Sequence, residues 1–245
     1  MKTAIATMIK QNEIMEGPRP DDFLSLELRK RELGGYLGED VPDMLIKLPP
    51  PPYEGSSGWE NDLELSFTYL RADEARKEQA KQDAILRFPW ATDAFNSVVD
   101  GKIHPEISPS LYKILKKTCQ DGIKSTRGPK QFYERPRPFM VNHLPTLTPQ
   151  DEDILKEDGS YPSGHTAVGW IWALILVDLF PFYSYEVLER GRQFGISRNI
   201  CNVHWHSDVL AGRTCGAAVT SRLYECPEFL DDLHTAKREL AAMEF

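Results

Sequence analysis

The sequence has a serine, a glycine and a histidine directly before a long apolar segment, at Ser163, Gly164 and His165. A serine that caps a helix leaves nearby backbone N–H groups free, and these groups together with the helix dipole bind anions. Gly164 has no side chain, so a ligand can approach the backbone closely. The alternative is an ordinary serine cap followed by a solvated histidine, and this segment alone does not decide between the two.

A second segment, SRNICNVHWHSD, places a carboxylate four residues after a histidine, at His204 and Asp208. If a helix begins near Ser207, the carboxylate can reach back to a ring N–H of His204 and leave the other ring nitrogen free to attack. The guanidinium of Arg198 is a planar donor fork that suits phosphate. Alternatively, the aspartate stabilises the helix dipole beside a packing histidine. A metal site with His206 is a weaker alternative, because no further His or Cys lies at suitable spacing.

A third segment, KQFYERPRP, supplies the cations Lys130, Arg135 and Arg137. Lys130 and Arg137 are seven residues apart, so on a helix they would lie near one face. Pro136 and Pro138 flank Arg137 and keep the backbone extended there. The alternative is a solvated basic loop, which is common for lysine and arginine.

Together, the three segments offer cations, a helix N-terminus and two histidines, which is what phosphoryl transfer requires: positioning, electrostatic stabilisation, a nucleophile and a proton donor. The chain of 245 residues carries a formal net charge of −8. It therefore lacks the basic character of a nucleic-acid-binding protein. Because a negatively charged molecule repels anions, an anionic substrate requires positive charge that is concentrated locally.

Cysteine usage and hydropathy limit the compartment and the class of protein. No CxxC pair occurs, which disfavours a zinc knuckle or a thioredoxin-like motif. Scattered core thiols and two disulfides in an oxidising compartment both fit the four cysteines, Cys119, Cys201, Cys215 and Cys226. Residues 167–177 form the longest apolar segment, far short of the roughly 20 residues that cross a membrane. Lys10 interrupts the apolar start of the chain too early for a recognisable signal peptide.

The chain changes character near residue 60. Residues 1–60 look irregular and contain the run KLPPPPYEGSSG, which predicts an extended, partly polyproline arm. Residues 61–245 repeat apolar positions at helical spacing, while alternating strand patterns are scarce. The segment TAVGWIWALILVDLF is apolar on nearly every side, which predicts a central, enclosed helix. We therefore predict an all-α, single-domain helical bundle over 61–245 with an extended Pro-rich N-terminal arm over 1–60.

The three segments together resemble the signature of a known superfamily. The chain matches it, in order and at the required spacing, with Lys130-x6-Arg137-Pro138, Pro162-Ser163-Gly164-His165 and Ser197-Arg198-x5-His204-x3-Asp208. This pattern resembles the phosphatidic-acid phosphatase type 2 and vanadium haloperoxidase superfamily. The runs GSYPSGHT, ICNVHWHSDV and LPPPP are similar, within it, to the bacterial class A non-specific acid phosphatases. The motifs span residues 130–208, and the resemblance covers about 40 to 245.

The resemblance implies a role for each matching residue. His204 is the nucleophile that forms a phosphohistidine, Asp208 orients it, and His165 protonates the leaving oxygen. The phosphate oxygens are held by Lys130, Arg137, Ser163, the backbone N–H of Gly164, and Arg198. The implied activity is hydrolysis of a broad range of phosphomonoesters without a metal or other cofactor, together with phosphotransfer to alcohols or nucleosides.

The resemblance also implies surroundings and partners. It implies a periplasmic or secreted homo-oligomer that acts on small phosphomonoesters, without a nucleic-acid polymer or a membrane as partner. His206 stands where close relatives are expected to have glutamine, which bears on substrate preference or pH profile. A vanadium-dependent haloperoxidase is the main alternative, although such enzymes are usually much larger. A membrane lipid phosphatase would need spanning helices, and a non-enzymatic phosphate-binding protein would not require the pair His165 and His204.

Overall fold

The computed structural model describes residues 34–243, and the regular secondary structure in this range is helical, without strands. This confirms the predicted all-α fold. The α-helices are α1 (Ser57–Tyr69), α2 (Glu74–Asp83), α3 (Asp93–Asn96), α4 (Pro109–Ser125), α5 (Arg127–Tyr133), α6 (Pro138–Asn142), α7 (Glu152–Lys156), α8 (Gly164–Leu179), α9 (Ser184–Ile200), α10 (His206–Leu223) and α11 (Pro227–Ala241).

Helix α8 is the centre of the bundle and packs against α4, α9 and α10. Its residues are almost all apolar, as the sequence predicts, so the hydrophobic effect favours its enclosure from several sides. Trp172 is fully buried at its middle, and its ring meets Phe88 and Phe95 edge to face. The indole N–H donates to the carbonyl of Leu115 at 3.0 Å, which ties α8 to α4 without leaving a buried donor unpaired.

The N-termini of α8 and α10 are held together directly. The backbone N–H of Ser163 donates to the carbonyl of Asp208 at 3.0 Å. A Cβ at Gly212 would lie 2.6 Å from the Ser163 carbonyl oxygen, so only glycine allows the two helices to approach this closely. The Pro-Ser-Gly-His segment and the segment around His204 therefore lie side by side.

The N-terminal region packs across this part of the bundle. Residues 34–56 contain no α-helix, and Met44 and Leu48 are buried in a cluster that includes Tyr161. The phenol of Tyr161 donates to the carbonyl of Pro49 at 2.7 Å. Residues 1–33 lie outside the described residues, so the prediction about a signal peptide concerns a part of the chain that the structure does not describe. The division into 1–60 and 61–245 stays a prediction.

The helical region predicted from residue 61 onward is interrupted near its start. Helix α1 already begins at Ser57, and the helical region breaks between Tyr69 and Glu74, where the Asp73 side chain caps α2 by accepting the N–H of Arg76 at 2.8 Å. Aspartate favours this capping position over a helix interior, which explains the break.

The cysteines are scattered thiols rather than disulfides. All four are free, and three of them are fully buried in the bundle. Burial raises the pKa of the Cys119 thiol to about 12, so it behaves as a small apolar side chain. Across residues 34–243 we find no helix with the length and the apolar character that a membrane crossing needs.

Candidate active site

A cavity of about 420 Å³ opens at the N-terminus of α8. Its wall brings together most of the residues that the three segments predict, namely Lys130, Arg137, Gly164, His165, Arg198 and His204. Leu86, Ile123 and Leu155 form an apolar part of the wall, and the exposed Arg127, Gln131 and Glu157 lie at its rim. Because Lys130, Arg137 and Arg198 line this concave space and Arg127 lies at its rim, the cavity suits an anion with an organic substituent.

Lys130 and Arg137 do not share a helix face, contrary to the prediction from their spacing. Helix α5 ends where Glu134 takes a left-handed conformation with φ 41°, and Arg137 is extended at the start of α6. The two side chains instead converge on Asp158. Its Oδ2 accepts from Lys130 Nζ at 3.0 Å and from Arg137 NH2 at 3.1 Å.

Asp158 and its neighbours hold these two cations in place, a role that sequence reasoning missed. The backbone carbonyl of Gly159 accepts from Lys130 Nζ, and that of Asp158 accepts from Arg137 Nε at 3.1 Å. Burial first, and then Arg137, lower the pKa of Lys130 to about 8, so the ammonium is still charged at neutral pH. The position of Asp158 directly before the GSYPSGHT run was the available signal.

Arg198 is buried, with 2 % of its surface exposed. Its Nε and NH1 atoms make no hydrogen bond within the described part of the chain. Buried N–H donors are almost always paired, and an unpaired guanidinium is especially unfavourable. The side chain lines the cavity, so the donors fit the oxygens of a bound oxyanion such as phosphate.

The ring of His204 is held by partners at both nitrogens. Nδ1 lies 3.3 Å from Asp208 Oδ2, and Nε2 lies 3.2 Å from Arg137 NH1. A guanidinium can only donate, so Nε2 accepts and the ring proton is on Nδ1, directed at the carboxylate. Burial first, and then Arg137 and Lys130, hold the pKa of His204 well below its usual range. The imidazole is therefore neutral, with its lone pair on Nε2 at the cavity wall.

Asp208 lies behind His204 rather than in the cavity. Helix α10 begins at His206, one residue before the expected start, and the carboxylate also accepts the N–H of Trp205 at 2.8 Å and the hydroxyl of Ser160. On its other side, Oδ1 accepts from Arg135 NH1 at 2.6 Å. The spacing of four residues thus brings the carboxylate to Nδ1 as predicted, but in a larger network.

His165 is anchored by a backbone carbonyl. Its Nε2 lies 3.0 Å from the oxygen of Ala84, at the end of α2. A carbonyl only accepts, so Nε2 carries the proton and Nδ1 is left for other partners. Burial first, and then Arg198, hold the pKa of His165 well below its usual range. The imidazole of His165 is therefore neutral in the described structure.

Ser163 and His206 have structural partners outside the cavity wall. The Ser163 hydroxyl accepts from Thr166 N at 3.3 Å and from Thr166 Oγ1 at 2.9 Å, as expected for a buried helix cap. Its role as a phosphate ligand stays a prediction. His206 Nδ1 lies 2.9 Å from the Tyr69 hydroxyl, and the two rings stack. The pKa of His206 is lowered, mainly by burial.

The donor set around the cavity fits an anion. Residues 34–243 contain no group of three or more His, Cys, Asp or Glu side chains that could hold a metal ion. Lys130, Arg137 and Arg198 instead surround His204, and their positive charges oppose the approach of a cation.

Comparisons with known proteins identify the family of the chain. Residues 113–231 match the PAP2 superfamily. A non-specific acid phosphatase of Providencia stuartii is 39 % identical over 205 residues, which is 82 % of each chain. One of Salmonella typhimurium is 39 % identical over 195 residues, 79 % of this chain and 78 % of that one. An acid phosphatase of Zymomonas mobilis is 33 % identical over 199 residues, 81 % of this chain and 75 % of that one.

The likeness to a solved structure is weak. A transmembrane PAP2-type phosphatidylglycerolphosphate phosphatase from Bacillus subtilis gives a TM-score of 0.37 at 18 % identity, covering 67 % of this chain and 90 % of that one. The sequence relatives are much closer and extend over most of both chains. The chain therefore belongs to the PAP2 superfamily and, within it, to the class A non-specific acid phosphatases.

Proposed function

We propose that this chain is an acid phosphatase that hydrolyses a broad range of phosphomonoesters, without a metal, through a phosphohistidine at His204. The unpaired donors of the buried Arg198 carry this proposal, because they line the same cavity as Nε2 of His204 and suit the oxygens of a phosphate there. The names of the relatives, non-specific acid phosphatases, support the reaction and the breadth of substrates.

In the first step, the Nε2 lone pair of His204 attacks phosphorus. The P–N bond forms while the bond from phosphorus to the ester oxygen breaks, and the phosphoryl oxygens are stabilised by Lys130, Arg137 and Arg198. The proton on Nδ1 of His204 faces Asp208, so positive charge that develops on the ring is balanced by the carboxylate.

His165 supplies the proton for the leaving oxygen. A phosphate dianion in the cavity offsets Arg198 and the other cations, so it favours the charged imidazolium. Because Nε2 is bound to Ala84, the transferred proton comes from Nδ1. In the second step, neutral His165 takes a proton from water, water oxygen attacks phosphorus, and the P–N bond breaks to release phosphate.

The remaining features follow from the same resemblance. An alcohol or a nucleoside hydroxyl that replaces water in the second step receives the phosphoryl group, which is the expected phosphotransferase activity. The apolar wall of Leu86, Ile123 and Leu155 contacts the organic part of the ester. A periplasmic or secreted location and a homo-oligomeric assembly complete the proposal.

Replacement of His204 by alanine tests the proposal. We expect His204→Ala to lower kcat for a chromogenic phosphomonoester by about 10⁴-fold or more, because the nucleophile is lost. His206→Ala is the matched control: it removes a neighbouring histidine outside the cavity and should change kcat only a few-fold. Acid-labile labelled phosphate should be trapped on His204 of the wild type, and label on another residue would overturn the assignment.

A further inference from the structure

Arg135 is the one cation of the KQFYERPRP segment that does not line the cavity. Its side chain is 4 % exposed and lies between two carboxylates, those of Asp208 and Asp62, which are 0 % and 1 % exposed. NH1 donates to Asp208 Oδ1 at 2.6 Å, and NH2 donates to Asp62 Oδ2 at 2.8 Å. A guanidinium on the far side of Asp208 from His204 cannot bind the phosphate directly.

The surroundings of Arg135 fix its orientation. The guanidinium lies beside the contacting rings of Trp59 and Trp205, with its carbon 5.7 Å and 5.4 Å from the two ring centres, which are 5.0 Å apart. Ser207 Oγ accepts from NH1 at 2.7 Å, and Ser207 N donates to Asp62 Oδ1 at 2.9 Å. The two neighbouring rings and the Ser207 hydroxyl restrict rotation of the planar group, so NH1 and NH2 keep their directions.

We propose that Arg135 is a positioning residue that holds the Asp208 carboxylate against Nδ1 of His204, and that Asp62 holds Arg135 in turn. Because Oδ1 of Asp208 is bound by Arg135, Oδ2 is the oxygen turned toward His204. The ring proton then stays on Nδ1, and Nε2 is fixed as the reactive nitrogen. The proposal rests on the nucleophilic role of His204 proposed above.

The network also sets the charge behind the nucleophile. Asp208, Arg135 and Asp62 together carry one net negative charge as two carboxylates and one guanidinium. An uncompensated carboxylate would favour the charged imidazolium, which cannot attack. The charged or titratable groups that face His204 from its own segment and from the packed elements are Asp208, Lys130, Arg137, Asp158, His165 and Arg198.

Substitutions that change the net charge of this network give opposite expectations. Arg135→Gln leaves two negative charges, so protonation of His204 and the acidic limb of kcat/KM should move to higher pH. Asp62→Asn leaves the network with a net charge of zero, so protonation of His204 and the acidic limb should move to lower pH. The double variant Arg135→Gln/Asp62→Asn restores one negative charge and should return the limb toward the wild-type position. A purely structural role predicts loss of folded protein without this order.

Arg135→Lys tests position rather than charge. The lysine keeps the positive charge but cannot serve two carboxylates with a rigid fork. We expect kcat to fall about tenfold, as for other residues that orient a reacting group, while KM changes little. A raised KM with unchanged kcat would instead make Arg135 a substrate-binding residue and overturn the proposal.

The deciding measurement is nitrogen NMR of the full chain with labelled histidine, at a series of pH values without substrate. The wild-type spectrum of His204 should show a proton on Nδ1, and the variants should titrate in the order given by their charge. An unmoved titration in Arg135→Gln would overturn the proposal. If that variant does not fold, Asp62→Asn decides: a shift to lower pH supports the proposal, and no shift overturns it. This signal does not depend on whether His204 becomes phosphorylated, so a failure of the proposed function would be seen separately.

Discussion

The two histidines of the cavity have the same charge state but different supports. Both have a pKa held well below the usual range, in each case by burial first and then by an arginine. His204 is bound through Nδ1 to a carboxylate, which is itself paired with Arg135. His165 is bound through Nε2 to the neutral carbonyl of Ala84. With similar burial, a different ring nitrogen therefore carries the proton in each histidine: Nδ1 in His204 and Nε2 in His165.

The difference separates the two chemical tasks. In the proposed mechanism, a carboxylate stabilises the positive charge that the His204 ring gains when it attacks phosphorus. A carbonyl orients His165 but supplies no full charge, so His165 takes up a proton only when a phosphate dianion balances the cations beside it. We infer that substrate binding brings about the protonation of His165, whereas His204 is already neutral and oriented in the free protein.

Replacement of His165, the proposed acid, should give the largest of the effects that test this difference between the histidines. We expect His165→Asn to lower the rate of phosphohistidine formation by about 10²- to 10⁴-fold for an alkyl phosphate, because an alkoxide leaves poorly without a proton. For nitrophenyl phosphate the loss should be much smaller, since nitrophenolate leaves without help. Single-turnover phosphorylation of both substrates measures the two losses.

The two substrates control for each other, because any damage to phosphate binding affects them alike. Equal losses for the alkyl and the nitrophenyl ester would mean that His165 is not the acid. The different supports of the two histidines would then not correspond to a nucleophile and an acid.

A smaller effect is expected from replacing Asp83, which directly precedes Ala84, the residue whose carbonyl binds His165. Asp83 is buried and accepts from Arg190 NH1 at 3.1 Å and from Ser197 Oγ at 2.5 Å, which ties the end of α2 to α9. Asp83→Asn should loosen this tie and allow the Ala84 carbonyl to move. We expect a few-fold loss in the phosphorylation rate, and a larger loss for alkyl than for nitrophenyl phosphate.

Asp121→Asn is the matched control, because Asp121 is also a buried carboxylate but binds the N–H groups of Tyr36 and Leu37 at 2.9 Å and 3.2 Å, away from the cavity. It should lower stability without changing the ratio of the two rates. An equal loss for both esters in Asp83→Asn would place the effect on Arg198, which follows Ser197 on α9, rather than on His165.

The sequence was sufficient for the fold class and for most of the cavity wall. An apolar run without a polar side predicts an enclosed helix, and α8 is that helix. The order and spacing of three short segments predict Lys130, Arg137, His165 and Arg198 around His204, and the cavity contains them. Such patterns can be found in a sequence because each depends on residues close together in the chain.

Contacts between distant segments could not be predicted in this way. Asp62 reaches the network from α1, and the Ala84 carbonyl has no side-chain signal at all. The expectation that Lys130 and Arg137 share a helix face was wrong because Glu134 takes a left-handed conformation and ends α5. A non-glycine residue rarely adopts that conformation, so a helical extrapolation through it was natural but incorrect.

The smallest expected effect is on stability, and its sign follows from both histidines. Their pKa values lie well below 6.5 in the folded chain because of burial and the neighbouring arginines, whereas the unfolded chain exposes them to water. Below about pH 6.5 the unfolded state therefore binds more protons than the folded state. The free energy of unfolding should fall as the pH is lowered through this window, and it is retained above it.

His165→Asn removes one of the two contributions, so its free energy of unfolding should depend less on pH than that of the wild type between pH values just above and below about 6.5. Urea unfolding at two such pH values, in phosphate-free buffer, measures the difference. His143→Asn is the control, since His143 is exposed and asparagine tolerates its left-handed backbone with φ 56°. Added phosphate should restore stability to the wild type at the lower pH, because the anion binds the folded state and favours charged His165. An unchanged pH dependence in His165→Asn would show that His165 is not held neutral in the free protein. The inference that substrate binding brings about its protonation would then be wrong.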